Sequence, residues 1–167
     1  LEDDPGTQTG AVLVMNPQTG EILAMASIPG FAPEILLDHA QRNPYYTALS
    51  QDPRLPFFNR VTQALYGPGS TFKPITALAI LEEGVLSAGD RFNATGVSQY
   101  GVKDWVINSG LAPFGQINMY DALGMSSNHY FADNGAKVGI DRLSVWMTAL
   151  GFGAPTGLIL FPGEASG

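Results

Sequence analysis

Between residues 10 and 27 (GAVLVMNPQTGEILAMAS) the apolar positions form two runs rich in Val, Leu and Ile, separated by Asn16-Pro17-Gln18-Thr19-Gly20. Pro17 presets φ for a turn and Gly20 accepts positive φ, so the pattern predicts a β-hairpin. Both arms are nearly continuous in apolar residues, which predicts cover on both faces. Residues 28–60 carry Pro29, Pro33, Pro44, Pro53 and Pro56. That density predicts an irregular excursion with one helical turn near 33–40. Apolar and aromatic residues continue through it, so no domain boundary is expected there.

The stretch 70–81 (STFKPITALAIL), followed by Glu82-Glu83-Gly84, predicts a buried helix that ends at a glycine C′ position. Pro74 falls among the four leading amides that have no intrahelical partner, which sets Ser70 at the N-cap. Residues 85–117 are rich in Gly, Asn and Ser and predict short β pieces. A short helix is expected over 118–125 and a second helical stretch after Ser127. The clearest amphipathic helix spans 141–150, with Asp141 as N-cap, Leu143, Trp146, Met147 and Leu150 as the apolar stripe, and Gly151 at C′. Trp105, Trp146 and the nine Phe are expected in the core. The fold class is α+β: an N-terminal hairpin, then a mainly helical body, behind a polar lead-in over residues 1–9.

Composition narrows the function classes. The 167 residues suit one domain with a real core. Eight basic and 15 acidic residues give a net charge of −7, which disfavours nucleic acid as a partner. With two His and no Cys there is no thiolate metal site, disulfide or cysteine nucleophile, and no metal or cofactor is expected. Lack of Cys also suits an extracytoplasmic protein. The chain starts at Leu1 rather than Met and is expected to be a piece of a longer protein, so a missing leader or anchor is uninformative. The uncharged run 143–163 contains Gly151, Gly153, Pro155, Gly157 and Pro162, which break it as a spanning helix.

The chemistry concentrates in Gly67-Pro68-Gly69-Ser70-Thr71-Phe72-Lys73. A serine and a lysine three residues apart share one helix face, one turn apart. A serine hydroxyl needs an adjacent base to act as a nucleophile. Burial and the positive potential of a helix N-terminus both favour the neutral lysine, and free amides there can steady an oxyanion. The plainer alternative is a capping serine with a surface lysine one turn on. A second candidate is Ser126-Ser127-Asn128, where a hydroxyl and a carboxamide could relay a proton and bind an amide. Its alternative is a helix C-cap followed by a new N-cap. Neither His39 nor His129 has metal-ligand spacing, and the glycines at 151, 153 and 157 read as a turn rather than a dinucleotide loop.

S-x-x-K followed by S-x-N, in this order, resembles the transpeptidase domain of the penicillin-binding proteins. The resemblance runs from residue 10 to 167 and includes the 16–20 hairpin turn, Asn59-Arg60-Val61-Thr62-Gln63, Gly67 through Pro74, and Ser126-Ser127-Asn128 with Tyr130-Phe131. It extends over Gly139-Ile140-Asp141-Arg142-Leu143 to Phe161-Pro162-Gly163-Glu164 and is greatest to class B, elongation-type members. It implies a β-lactamase/transpeptidase-like fold and a D,D-transpeptidase that cross-links peptidoglycan stem peptides through a serine acyl-enzyme, the target of β-lactams. In that resemblance Ser70 is the nucleophile, Lys73 takes its proton, Ser126 passes a proton to the leaving amine, and Asn128 holds the substrate amide. It also implies a protein anchored in the bacterial inner membrane, with this domain on the outer side and the cell-wall synthesis machinery as partner. Two other readings stay in view: a serine β-lactamase or β-lactam sensor domain, and a non-catalytic structural or protein-binding module on the same fold.

The family's third motif, K-T/S-G, does not occur: the three lysines precede Pro74, Asp104 and Val138. Lys137-Val138-Gly139 lies too close to Ser126, in a helical stretch, to serve. The chain is therefore expected to be an incomplete catalytic domain with its later strands and final helix missing, an exposed hairpin edge, and activity strongly reduced or absent. Another chain or fragment is expected to complete the sheet.

Overall fold

A computed structural model describes residues 9–158 and Ala165. The polar lead-in up to residue 8 and the 161–164 part of the closing run lie outside the described residues. The chain divides into two compact units, one running up to Tyr66 with the C-terminal residues from Gly157, the other Gly67–Thr156.

In the first unit, β1 (Gly10–Met15) and β2 (Ile22–Ile28) pair antiparallel, with Val12 opposite Ala26 and Leu13 opposite Met25. The turn forms as expected. Gly20 N donates to Asn16 O at 2.8 Å, Gln18 N donates to Asn16 Oδ1 at 2.9 Å, and Gly20 takes a φ of +75°. The expected cover on both faces is not found. Val12, Leu13, Val14, Met15 and Leu23 are all exposed: no other described strand pairs with the hairpin, and the described helix packed on both its strands is short, at residues 60–63.

The excursion is more helical than its prolines suggest. The single turn near 33–40 is α1 (Pro33–Leu37), but α2 (Arg42–Gln51) is a full ten-residue helix. Pro44 is its third residue, where a missing N–H costs nothing. α2 buries no residue, so it carries no apolar stripe by which its pattern could be recognised. α3 (Arg60–Gln63) is capped by Asn59, whose side chain accepts from Val61 N at 3.0 Å. Arg60 is buried and its guanidinium donates to the carbonyls of Arg54, Leu55 and Phe58. Arg60 N donates to Ser27 Oγ at 3.1 Å, tying α3 to β2.

The second unit is built on α4 (Lys73–Glu82), α6 (Met119–Gly124), α7 (Asn128–Val138) and α8 (Ile140–Ala149), with α5 (Trp105–Asn108) and a small sheet of β3 (Phe92–Ala94) and β4 (Gly115–Ile117). Ala77, Ala79 and Ile80 of α4 pack with Ala122, Tyr130, Phe131, Ala94 and Ile117 to form the core. Three sequence expectations are corrected here. The helix does not start at Ser70: Gly69–Phe72 winds as a 3₁₀ turn and the α-helical bonding begins at Lys73, with Pro74 as its second residue. Asp141 is not a cap, since Gly139, at φ +82°, takes that place and Asp141 lies in the first turn, where its charge still suits the helix dipole. Trp105 is not core but 48% exposed, and Phe31, Phe57 and Phe152 are exposed too. Trp146 is half-buried, its Nε1 donating to Glu83 Oε1 at 2.9 Å.

No described helix is long and apolar enough to cross a membrane.

Candidate active site

All four candidate residues lie within Gly67–Thr156 and converge. Ser70 is exposed on the 3₁₀ turn, one turn before Lys73, which opens α4. Gly69 at φ +57° turns the chain into that helical entry.

The other half comes from the α6–α7 junction. Asn118 and Asp121 form a capping box that starts α6. At its end Ser127 N donates to Ala122 O at 2.9 Å and Ser126 N to Leu123 O at 3.2 Å, the paired bonds of a Schellman ending. Ser126 therefore sits at C′ with φ +55°, the left-handed position where glycine is usual. Ser127 next caps α7, accepting from Tyr130 N at 3.1 Å. The structural alternative for this tripeptide, one helix ending and another starting, is thus realised. The same turn also aims its outer residues at α4.

Lys73 Nζ donates to three acceptors: Ser126 O at 2.7 Å, Ser126 Oγ at 2.8 Å and Asn128 Oδ1 at 2.7 Å. Ser126 Oγ donates to Ser70 Oγ at 2.9 Å. The hydrogen-bonded route between the two motif residues Ser70 and Lys73 thus passes through Ser126. Asn128 is braced from behind, its Nδ2 donating to Lys103 O at 3.0 Å. The face of Phe131 lies 5.9 Å from Nζ. Burial lowers the Lys73 pKa from 10.5, opposed by the carboxylate of Asp104. Both effects follow from the half-buried setting of the ammonium.

Sequence reasoning did not single out Asp104. It is fully buried and accepts from Ser127 Oγ at 3.0 Å and from His129 N at 2.9 Å. A single Asp in a Gly- and Asn-rich stretch carries no pattern that would mark it. His129 is also buried, with Nδ1 accepting from Gly96 N at 3.2 Å and Nε2 3.2 Å from Asp133 Oδ2. His39 is exposed, and among the described residues no cluster of His, Asp and Glu could hold a metal. Lys137 lies within α7, donating to Asn134 Oδ1 at 2.9 Å.

The site is a serine–serine–lysine relay beside a carboxamide, opening to solvent at Ser70. That arrangement can generate an alkoxide on Ser70 and return a proton to a leaving group.

The profile of the family described as penicillin binding protein transpeptidase domain matches residues 10–167. Peptidoglycan D,D-transpeptidase MrdA of Acinetobacter baumannii is 33% identical over 163 residues, covering 95% of this chain and 23% of that protein. The chain spans about a quarter of the length of the curated relatives it matches. The crystal structure of Pseudomonas aeruginosa PBP2 in complex with WCK 5153 superposes with a TM-score of 0.82 at 34% identity, covering 97% of this chain and 36% of the other. The penicillin G acyl-enzyme complex of penicillin-binding protein A from M. tuberculosis gives a TM-score of 0.77 at 31% identity over 87% of this chain and 35% of the other. The complex between PBP2 and MreC from Helicobacter pylori gives 0.72 at 27% identity over 87% and 27%.

Proposed function

From the premise that this chain belongs to the penicillin-binding protein transpeptidase family, we propose that it carries the acylation machinery of a peptidoglycan D,D-transpeptidase, with Ser70 as nucleophile. The observation that carries this proposal is the bonded relay Lys73 Nζ–Ser126 Oγ–Ser70 Oγ, at 2.8 and 2.9 Å.

With Lys73 neutral, the relay reverses: Ser126 donates to Nζ and Ser70 donates to Ser126 Oγ. Ser70 Oγ attacks the carbonyl of the penultimate D-Ala of a stem peptide while its proton moves through Ser126 to Lys73. The tetrahedral adduct collapses, the C–N bond breaks, and Ser126 returns the proton to the departing D-Ala amine. An ester on Ser70 remains. The amine of a second stem peptide attacks that ester and gives up a proton through the same relay; the acyl C–Oγ bond breaks, the proton returns to Ser70 Oγ, and the cross-linked amide leaves. Asn128, held by Lys73 and Lys103 O, presents its amide to the substrate backbone. A β-lactam follows the first half, its ring amide opening onto Ser70, and has no small leaving group to depart.

As parts of the same proposal, the whole protein is anchored in the bacterial inner membrane with this domain outside, and it works with the cell-wall synthesis machinery. Among its structural relatives, the M. tuberculosis penicillin G acyl-enzyme supports the acylation chemistry and the Helicobacter PBP2–MreC complex supports a protein partner.

Intact-protein mass after incubation with penicillin G tests the chemistry. A stable adduct of one penicillin is expected on the wild type and none on Ser70→Ala. An adduct on both, or on neither, overturns Ser70 as the reacting group. Rapid loss of the adduct with hydrolysed penicillin in solution would move the assignment to a β-lactamase.

A further inference from the structure

Three consecutive residues, Lys103, Asp104 and Trp105, each bond the segment that carries the Ser-Ser-Asn motif. Lys103 O accepts from Asn128 Nδ2 at 3.0 Å, Trp105 Nε1 donates to Met125 O at 3.0 Å, and Asp104 takes two donors between them. We propose that Asp104 is a positioning residue for Ser70 acylation: its buried carboxylate, bonded to Ser127 Oγ and His129 N, holds the Ser126 turn and Asn128 against Lys73. This inference rests on the function proposed above.

The geometry carries it in two ways. First, Ser126 occupies a left-handed conformation that is strained for a residue carrying a Cβ and needs support from its surroundings. The support lies one residue on. Ser127 Oγ can accept from Tyr130 N only while its own proton is directed elsewhere, and Asp104 receives that proton. The carboxylate also accepts the first free amide beyond Asn128, which fixes the entry of α7. Asp104 is itself fixed: its N donates to Gly96 O at 2.8 Å and its O accepts from Ile107 N at 3.1 Å. Gly96 has φ +94°, and a Cβ there would lie 2.4 Å from Ile107 Cδ1, so glycine is what lets the Ile107 side chain pack on the backbone that Asp104 N bonds.

Second, Asp104 brings a negative charge to a buried place near an ammonium. Lys73 on α4 feels its charge, and His129, whose N bonds it, is paired with Asp133 on α7; Lys103, its neighbour in sequence, is exposed. His129 directs its ring at Gly96 N and Asp133 rather than at Asp104. The Asp104 carboxylate raises the proton affinity of Lys73 against the effect of burial.

Asp104→Asn separates the two effects. The shorter bond from Ser127 and the bond from His129 both end on Oδ1, an atom that asparagine also offers as an acceptor, whereas the charge is lost. The measurement is made on the full-length protein that carries this chain, with lysines isotopically labelled at Cε and titrated by NMR, and with penicillin acylation rates followed over the same pH range. In Asp104→Asn the Lys73 midpoint is expected to move down while Lys137, on the far part of α7, stays in place. The acid limb of the acylation profile is expected to move down with it. Asp104→Ala, which removes charge and acceptors together, is expected to lose about 10²-fold in acylation rate, with Asp104→Asn restoring most of it.

A Ser70-dependent adduct on the wild type with equal acylation by wild type and Asp104→Ala overturns this inference alone. No Ser70-dependent adduct on the wild type overturns the proposed function, and the role assigned to Asp104 in acylation falls with it.

Discussion

Ser126 adopts a φ of +55° at the point where two helices meet, and from there it serves Lys73 with both its carbonyl and its hydroxyl. Backbone strain held in place by surrounding bonds is a common feature of functional sites. The Ser70–Lys73 pair was legible because helical spacing brings i and i+3 together whatever the rest of the fold does. Ser126 and Asn128 were legible as a candidate from their side-chain chemistry, but the pattern fits a pair of helix caps equally well, and the family resemblance is what gave them roles. Asp104 was not legible, because its partners lie 23 and 25 residues along the chain and only folding brings them to it. At this scale the ionisation of Lys73 gives a prediction. Burial lowers its pKa from 10.5, so the neutral amine becomes available at a lower pH than on an exposed lysine. Acylation by penicillin is expected to rise with pH along an acid limb that lies below the ordinary lysine range. Lys73→Arg, whose guanidinium keeps its proton, is expected to lose the limb and about 10²–10⁴-fold in rate. A limb at the ordinary lysine value, measured by stopped-flow acylation, would count against Lys73 as the base.

Two helices flank the relay, α4 with Lys73 and α7 with Asn128, and their separation sets whether Lys73 Nζ reaches Asn128 Oδ1 and the Ser126 turn before it. Gly135 lets them approach: a Cβ at that position would lie 3.0 Å from Thr76 Cγ2. Gly135→Val adds three carbons at that contact. It is expected to destabilise the protein by about 1–3 kcal/mol in urea denaturation and to slow acylation, as α7 is pushed away from Lys73. Unchanged stability would show that the helices can separate without cost. The elements also show why pattern reading succeeds and fails. α6 and α7 were legible from their caps, Asn118 and Ser127, since the cap residues bond their own neighbours in sequence. α2 was not, because it has no buried face to impose a period and Pro44 imitates a break. The start of α4 moved from Ser70 to Lys73 because a 3₁₀ turn occupies the residues between, a choice of winding that residue types alone do not decide.

For the molecule as a whole, the hairpin is the place where sequence and structure part most. Its apolar arms expect cover, and Val12, Leu13, Val14, Met15 and Leu23 are 41–61% exposed. Among the described residues the two strands pair only with each other, and they offer unpaired edges and an apolar surface to any other chain. This chain is expected to self-associate, and Leu13→Lys with Leu23→Lys is expected to shift it toward monomer in static light scattering; equal association by both would locate the sticky surface elsewhere. By itself the sequence determined the hairpin turn, the helical body, the serine–lysine pair and the family, because each depends on neighbours within a few residues or on motif order. Only the tertiary structure decided which strands are covered, that Ser126 lies between Ser70 and Lys73, and that Asp104 stands behind them. The physical reason is that covering a strand, bonding Ser70 through Ser126 to Lys73 and burying a carboxylate under a helix cap all join residues distant in sequence, and a linear pattern does not encode which distant residues will meet.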